Sequence, residues 1–267
     1  MTLSLAALRK KPHSSASALK AFLTCPRQYF FRYVERAAES FRSASLAFGH
    51  GFHAAIGQYL LHSTESERVP LEQLVEVFRG AFVTELTESS IPVLFDDEEQ
   101  SVGELLDKAN AMLGVFVEQF PLPTRVIGVE VPFELILQHP RTGETAELPL
   151  IGAMDVIAEY DEHRRVLELK TGKRKWSDNQ VDYDLQPTIY RRAAISSGHD
   201  DAETELVVVT KAKKPELHRL RCARSERDEI ELVELILSVE RAVRAGVDFR
   251  RRDWGCGTCS FAGNCSP

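Results

Sequence analysis

Residues 165–170, RVLELK, form a β-type run that places two chemically useful side chains on one face. Glu168 and Lys170 lie on the same side of such a strand, because side chains alternate between its two faces. The spacing alone carries little information, since a chain of this composition contains about one Glu-x-Lys by chance. The neighbouring run decides whether Glu168 and Lys170 are more than a chance pair.

That neighbouring run, LIGAMDVIAEY, adds Asp155. A two-residue turn at Asp161 and Glu162 would set Asp155 opposite Glu168, on the same face of a hairpin. Two carboxylates this close repel each other unless a cation lies between them. With a lysine nearby, the set suits hydrolysis of a phosphodiester assisted by Mg²⁺ or Mn²⁺. A surface cross-strand ion pair is the alternative interpretation.

A second group of chemically useful residues lies between residues 256 and 265. Cys256, Cys259 and Cys265 have the spacing C-x2-C-x5-C, which is typical of a metal site. Zinc sites and [4Fe–4S] clusters both take four cysteines, so the spacing does not distinguish them. Cys222 falls in a predicted strand and is interpreted as an ordinary buried residue.

The elements that position these residues follow from periodicity and capping signals. Helices are predicted over 14–36, with a serine N-cap and a break or second start at Pro26, and then over 44–62, 70–119 with an interruption at 91–99, 180–197 and 225–246. Because proline is disfavoured inside a helix, Pro187 is tolerated there if the helix begins near Asp184 or Gln186. Strands are predicted over 124–138, 146–160, 165–170, 205–212 and 216–223. This order predicts an α/β fold in which helices flank a mixed central sheet.

The charge of the chain is unevenly distributed. The net charge is −7, but residues 62–118 alone hold 13 acidic and 3 basic residues. Basic clusters occur at 170–175, 191–192, 211–214 and 250–252. A basic groove on an acidic protein can still bind phosphates, and solvated surface charge is the alternative for each cluster.

No apolar run approaches the roughly 20 residues that span a bilayer, and the N-terminal residues do not form a signal peptide. A cytoplasmic protein without a membrane partner is therefore expected.

Several motifs together resemble a known class of enzymes. Asp155 followed by Glu168-Leu169-Lys170 resembles the signature of the PD-(D/E)xK, or restriction-endonuclease-like, nucleases, with Met154 where that family often has proline. More motifs resemble the RecB/AddB-type iron–sulfur branch, which includes small CRISPR-associated exonucleases. They are Gly49-His50-Gly51-Phe52-His53 for its G-x-x-x-H helix, Gln186-Pro187-Thr188-Ile189-Tyr190 for its Q-x-x-x-Y motif, and Leu19 to Tyr33, with Cys25-Pro26, for its N-terminal cysteine motif.

The resemblance runs from about residue 14 to 265 and is weakest over 62–124. It implies a single nuclease domain, 1–267, with a restriction-endonuclease-like sheet core over 125–222. A helical insertion or lid would occupy 62–124, and cluster-binding segments would lie at 25 and 254–267.

The resemblance also implies roles for individual residues. Mg²⁺ or Mn²⁺ would be held by Asp155, Glu168, the carbonyl of Leu169 and His53, while Lys170 would position the attacking water. His50 competes with His53 for its role, and an ordinary histidine on the helix surface is the alternative for His53. Glu130 is a candidate further acid, and a side chain in solvent is the alternative. The substrate would be contacted by Gln186 and Tyr190, for which packing of their helix on the sheet is the alternative. The basic cluster adds Lys173, Arg174 and Lys175 as substrate contacts.

For the cysteines, the resemblance implies a structural [4Fe–4S] cluster held by Cys25, Cys256, Cys259 and Cys265. Such a cluster would join the N- and C-terminal segments. A zinc site with the same four cysteine ligands is the alternative.

The function implied is a metal-dependent DNA exonuclease that acts on single strands or DNA ends. The setting would be DNA repair or recombination, CRISPR adaptation or phage DNA metabolism, with a helicase or an integration partner. A catalytically silent DNA-binding or assembly subunit is the alternative. The intact set of Asp155, Glu168 and Lys170 argues against it.

Overall fold

The structure, a computed structural model, describes residues 4–95, 101–161 and 163–265. The chain divides into two compact units. One comprises Met1–Arg42, Pro132–Ala153 and Arg224–Pro267, and the other comprises Ser43–Val131 and Met154–Ala223. Three parts of the sequence predictions lie outside the described residues: 96–100 of the insertion, Glu162 of the turn, and 266–267 of the cluster-binding segment. The single domain with an insertion stays a prediction.

Most of the predicted helices and strands are present, with modest changes in their ends. The helices are α1 (Leu5–Leu8), α2 (Ala16–Thr24), α3 (Pro26–Tyr29), α4 (Ala44–His62), α5 (Leu71–Thr87), α6 (Val102–Gln119), α7 (Asp178–Tyr183), α8 (Leu185–Ser196) and α9 (Glu226–Arg244). The strands are β1 (Arg42–Ser43), β2 (Val93–Leu94), β3 (Arg125–Leu135), β4 (Leu150–Tyr160), β5 (His163–Gly172), β6 (Glu203–Thr210) and β7 (Leu217–Cys222). The short elements α1, β1 and β2 are additional to the predicted ones. Within the described ranges, none of the helices is long and apolar enough to cross a membrane.

Five strands form one mixed sheet in the order β3-β4-β5-β6-β7. The pairs β4–β5 and β6–β7 are antiparallel, whereas β5–β6 is parallel. A parallel pair needs a crossover connection, and here α7 and α8 provide it. The prediction of a mixed central sheet flanked by helices is confirmed.

The β4–β5 hairpin has the register that its short turn predicts. Tyr160 pairs with His163, and Val156 pairs with Leu167. Continuing this register by one residue places Asp155 opposite Glu168.

The core of the second unit explains why the acidic face of β5 is fixed. Leu167 and Leu169 alternate with Glu168 and pack with Val156 and Val207 against an apolar cluster from α4, α5 and α6. Aromatic side chains fill that cluster, including Phe48, Phe52, Phe78, Phe82 and Phe116, all essentially inaccessible to solvent. A slip by one residue would bury Glu168 in this cluster, so the register is strongly specified.

The predicted helix over 180–197 is in fact two helices. The chain is extended at Asp184 (φ −72°, ψ +131°), and the Asp184 side chain caps α8 by accepting a hydrogen bond from the Gln186 amide. Pro187 is thereby the third residue of α8, where a missing N–H breaks no intrahelical bond. The proline thus marks the true start of this helix.

The first unit brings the ends of the described chain together. Ser15 caps α2, and α3 begins at Pro26, as predicted. The C-terminal segment contacts residues just after α3, since the ring of Phe31 stacks on that of Phe261 with centroids 5.7 Å apart. The Ser40 amide also donates to the Ser260 carbonyl over 2.9 Å.

Candidate active site

Asp155 and Glu168 form a buried acid pair on adjacent strands of the second unit. Their residues are only 7% and 1% exposed. Asp155 Oδ2 accepts a hydrogen bond from the Leu169 amide over 2.8 Å, which locks it to β5. Buried carboxylates are rare unless they are hydrogen-bonded, paired with a charge, or bound to a metal.

Helix α8 supplies two side chains that hold this pair in place. The buried Tyr190 hydroxyl donates to Asp155 Oδ1 over 3.1 Å. Gln186 Nε2 donates to Glu168 Oε2 over 2.9 Å and lies 3.1 Å from the Tyr190 hydroxyl. The i, i+4 spacing places both residues on the helix face toward the acids. Their predicted contact with substrate stays a prediction.

Lys170 lies at the open side of the acid pair. Its ammonium group forms an ion pair with Glu168 Oε1 and donates to Gln186 Oε1 over 3.2 Å. An ammonium group has three N–H donors, so one remains for another ligand. Burial lowers the pKa of Lys170, but the charges of Glu168, Asp155 and Asp184 and the hydrogen bond to Glu168 together outweigh that effect. The pKa is therefore raised overall, which keeps the group charged.

His53 approaches the acids from α4. Its Nδ1 lies 3.7 Å from Asp155 Oδ2, and its ring also interacts with the backbone of Leu169. Burial lowers the pKa of His53 to about 4, so the imidazole is neutral at pH 7, the form that binds metals. His50, by contrast, is exposed and lies 2.6 Å from Glu85.

The electrostatics of the acid pair favour a cation. Burial raises the pKa of Asp155 to about 6. Burial, followed by the charge of Asp155, raises the pKa of Glu168 to about 7. The carboxylate oxygens and the Leu169 carbonyl suit Mg²⁺ or Mn²⁺, and the neutral imidazole is a more reasonable further ligand for Mn²⁺ than for Mg²⁺. The residues present therefore fit a divalent metal ion.

Glu130 joins this group from β3. In the described part of the chain, one set of three metal-ligand side chains has its ligand atoms all within 4.8 Å of one another: His53, Glu130 and Asp155. Alternation along β3 does not show whether the Glu130 side chain faces the acid pair or solvent. The backbone of Glu130 has a φ of +51°, a departure from regular strand geometry that the sequence does not reveal.

Two basic loops leave the sheet next to Lys170. Lys173, Arg174 and Lys175 are exposed and follow β5. Because β5 and β6 are parallel and Gly172 pairs with Thr210, the 211–214 loop leaves at the same end of these two strands as the 173–175 loop. The Lys211 amide donates to the Gly172 carbonyl over 2.7 Å, which joins the two loops.

The four predicted cluster ligands lie together in the first unit. Cys25, Cys256, Cys259 and Cys265 line one cavity of about 370 Å³. Burial raises the pKa of the Cys259 thiol, and the other three cysteines raise it further. Cys222 is buried in β7 of the other unit, as the sequence predicts.

A mixed sheet that carries two acids and a lysine on neighbouring strands defines a class of nucleases. Residues 13–266 match the PD-(D/E)XK nuclease superfamily, and the chain belongs to it. Comparison with curated proteins gives no match.

A solved structure shares this fold. The crystal structure of a "Putative exonuclease" from Eubacterium rectale aligns with a TM-score of 0.61 and 14% identity, covering 100% of this chain and 95% of that one. The structure of SSO0001 aligns at 16% identity over 93% of this chain and 94% of that one, but its TM-score of 0.36 carries no weight.

Proposed function

We propose that this protein is a metal-dependent DNA exonuclease of the RecB/AddB-type iron–sulfur branch, acting on single-stranded DNA or DNA ends. The observation that carries the proposal is the intact acid pair with its lysine. Asp155, Glu168 and Lys170 converge within one hydrogen-bonded network. A silent DNA-binding subunit would have no need of two buried carboxylates, which destabilise the fold when ionised.

Mg²⁺ or Mn²⁺ would be held by Asp155, Glu168, His53 and the Leu169 carbonyl. When bound, such an ion polarises the scissile phosphate and lowers the pKa of a bound water.

The protein's own residues orient the reaction. Tyr190 and Gln186 fix the two carboxylates, so that little reorganisation is needed during the reaction. The third N–H donor of Lys170 holds the attacking water against the phosphate and offsets the charge that develops there. The loops at 173–175 and 211–214 attract the phosphate backbone toward the C-terminal ends of β5 and β6.

One assay tests the nuclease activity and its dependence on DNA ends. End-labelled linear single-stranded DNA and circular single-stranded DNA are incubated with the protein, in Mn²⁺ or in EDTA. We expect the linear DNA to be degraded in Mn²⁺ only, and the circular DNA to stay intact. Linear DNA that stays intact in Mn²⁺ would contradict the nuclease proposal. Equal cleavage of linear and circular DNA would indicate an endonuclease and not an exonuclease.

The proposed branch also requires a [4Fe–4S] cluster at the four cysteines. The four cysteines line one cavity of about 370 Å³, which is consistent with a shared ligand. Zinc and a [4Fe–4S] cluster both take four cysteine ligands, so the metal content decides between them.

Replacing Cys25 with serine tests the cluster. Anaerobically purified wild type is expected to be brown and to contain iron, whereas Cys25→Ser should lose both colour and iron. The free energy of unfolding should fall by about 2–5 kcal/mol, the range for loss of a native disulfide cross-link. Iron analysis and thermal unfolding measure these changes. Cys222→Ser is the matched control and should keep its iron, while a colourless wild type with stoichiometric zinc would show that the metal is zinc.

A further inference from the structure

The connection between β5 and α8 carries an exposed aromatic ring in the second unit. Tyr183 is 82% exposed and is the last residue of α7. Most tyrosines bury a larger part of their apolar ring than this. Single exposed apolar side chains are nevertheless common on protein surfaces, so the exposure alone assigns no role to Tyr183. Its position relative to the acid pair is the feature that distinguishes it.

The backbone that carries Tyr183 is held in place on both sides. At the start of α7, the Ser177 amide donates to Gln180 Oε1 over 2.9 Å and completes a capping box. Val181 is 5% exposed and packs in an apolar cluster with residues of β6 and β7. Asp184 then caps α8 directly after Tyr183. Because this backbone is already ordered, a ligand that contacts the ring pays little entropy to fix it.

Tyr183 also lies close to the acid pair along the chain. Gln186, three residues later, donates to Glu168 Oε2 over 2.9 Å and accepts from the Lys170 ammonium group over 3.2 Å. A chain advances at most about 3.6 Å per residue, so the Cα atoms of Tyr183 and Gln186 are at most about 11 Å apart. At about 3.4 Å per nucleotide of a stacked strand, this distance corresponds to about three nucleotides. A strand that is cut at the acid pair can therefore reach Tyr183 within a few nucleotides.

The charges of this connection indicate how a strand would lie on it. Residues 173–175 are all basic and exposed, and they precede α7 by a few positions. Asp182 and Asp184 flank Tyr183, so phosphates are not expected to lie over the ring itself. The basic loop can hold the phosphate backbone while the neutral ring contacts a base. Proteins that bind single strands without reading their sequence combine a basic surface with an aromatic side chain in this way.

We propose that Tyr183 is a stacking platform for an unpaired base, a few nucleotides from the bond that is cut. This inference rests on the proposed function, because it concerns the same DNA substrate. The bases of a duplex are paired and stacked on one another, and exposing one of them costs a few kcal/mol. Tyr183 therefore favours a single strand over an intact duplex end as the substrate.

Binding of a short, fluorescein-labelled single strand of mixed sequence, measured by anisotropy in EDTA, tests the proposal without cleavage. The full-length wild type is compared with Tyr183→Ala, Tyr183→Phe and Phe249→Ala. Phe249 is 56% exposed but belongs to the first unit, so it controls for loss of an exposed ring elsewhere. Equal melting temperatures show that the variants are folded.

We expect Tyr183→Ala to bind the single strand about fivefold or more weakly than wild type, as for loss of one stack of a base on an aromatic ring. Tyr183→Phe keeps the ring and should bind like wild type, as should Phe249→Ala. A blunt duplex of the same length should bind equally to wild type and to Tyr183→Ala, because its bases are not available to the ring.

Abasic substrates show whether the ring acts on a base. Wild type and Tyr183→Ala are each titrated with a series of single strands that lack one base at successive positions. At one position, wild type should lose about fivefold or more in affinity, whereas Tyr183→Ala should lose nothing further, as two partners of one contact do. A purely structural role of Tyr183 would leave the abasic effect unchanged.

The outcomes separate this inference from the proposed function. If Tyr183→Ala binds the single strand like wild type, or if Phe249→Ala weakens binding equally, Tyr183 is no stacking platform and the nuclease proposal stands. If the abasic substrates affect both proteins alike, the ring does not act on a base and the inference is wrong. If wild type binds no single-stranded DNA, both the inference and the proposed substrate are wrong.

Discussion

Replacing Lys170 with alanine is expected to lower the rate of DNA cleavage by about 10²–10³-fold or more, the usual effect of removing one preorganised donor from an active site. Lys170 donates to both Glu168 and Gln186, so its ammonium group is held at one point beside the acids. Alanine removes the donor and leaves Glu168 without its counter-charge.

Initial rates of digestion of end-labelled single-stranded DNA, at saturating Mn²⁺, measure this effect. Lys10→Ala provides the control, because Lys10 is an exposed lysine just after α1. Circular dichroism and gel filtration show whether both variants fold. A folded Lys170→Ala protein that cleaves within about threefold of wild type would exclude Lys170 from the reaction.

Replacing Asp155 with asparagine is expected to abolish the stabilisation of the protein by Mn²⁺. An ion at a hundred times its dissociation constant stabilises a fold by about 2.7 kcal/mol. For chains of roughly this size, 1 kcal/mol corresponds to about 2–4 °C in melting temperature. Wild type should therefore gain about 5–10 °C on replacing EDTA with Mn²⁺, and Asp155→Asn about 0–1 °C.

The pH dependence of this stabilisation follows from the acid pair. Without metal, burial raises the pKa of both Asp155 and Glu168, so the folded state binds protons more tightly than the unfolded chain. The free energy of unfolding in EDTA should therefore fall as the pH rises from about 4 to about 7, by about 1.4 kcal/mol for each unit of pKa shift. The gain from Mn²⁺ should be largest above that range.

Melting temperatures in EDTA and in Mn²⁺, measured between pH 5 and 8, test both statements. Asp107→Asn, which removes an exposed carboxylate from α6, should behave as wild type does. An Asp155→Asn protein that gains as much from Mn²⁺ as wild type would place the metal elsewhere.

The sequence predicted the hairpin of the site because the forces that define it are local. A two-residue turn and the alternation of Leu167, Glu168 and Leu169 determine the register, and Asp155 follows by counting. The membership of a nuclease superfamily was also accessible from these motifs.

Other parts of the site depend on backbone geometry that residue types do not encode. A period of two cannot show that the backbone of Glu130 has a φ of +51°, because the residue type does not encode it. Pro187 indicated a helix start near Asp184 or Gln186, and α8 does begin at Leu185, but the separate helix α7 before it was not predicted. Tyr190 was predicted to face substrate, and its bond to Asp155 depends on how α8 packs on the sheet.

The crossover between β5 and β6 has a consequence for the order in which the site is assembled. The β4–β5 hairpin is a local structure that can form early in folding, whereas the parallel pairing of β6 needs a distant segment and forms late. The connecting helix α8 carries Gln186 and Tyr190. A folding intermediate with only the hairpin would thus hold two repelling acids without the groups that orient them. The proposed cleavage site would therefore be complete only after β6 has docked and α8 has packed on the sheet.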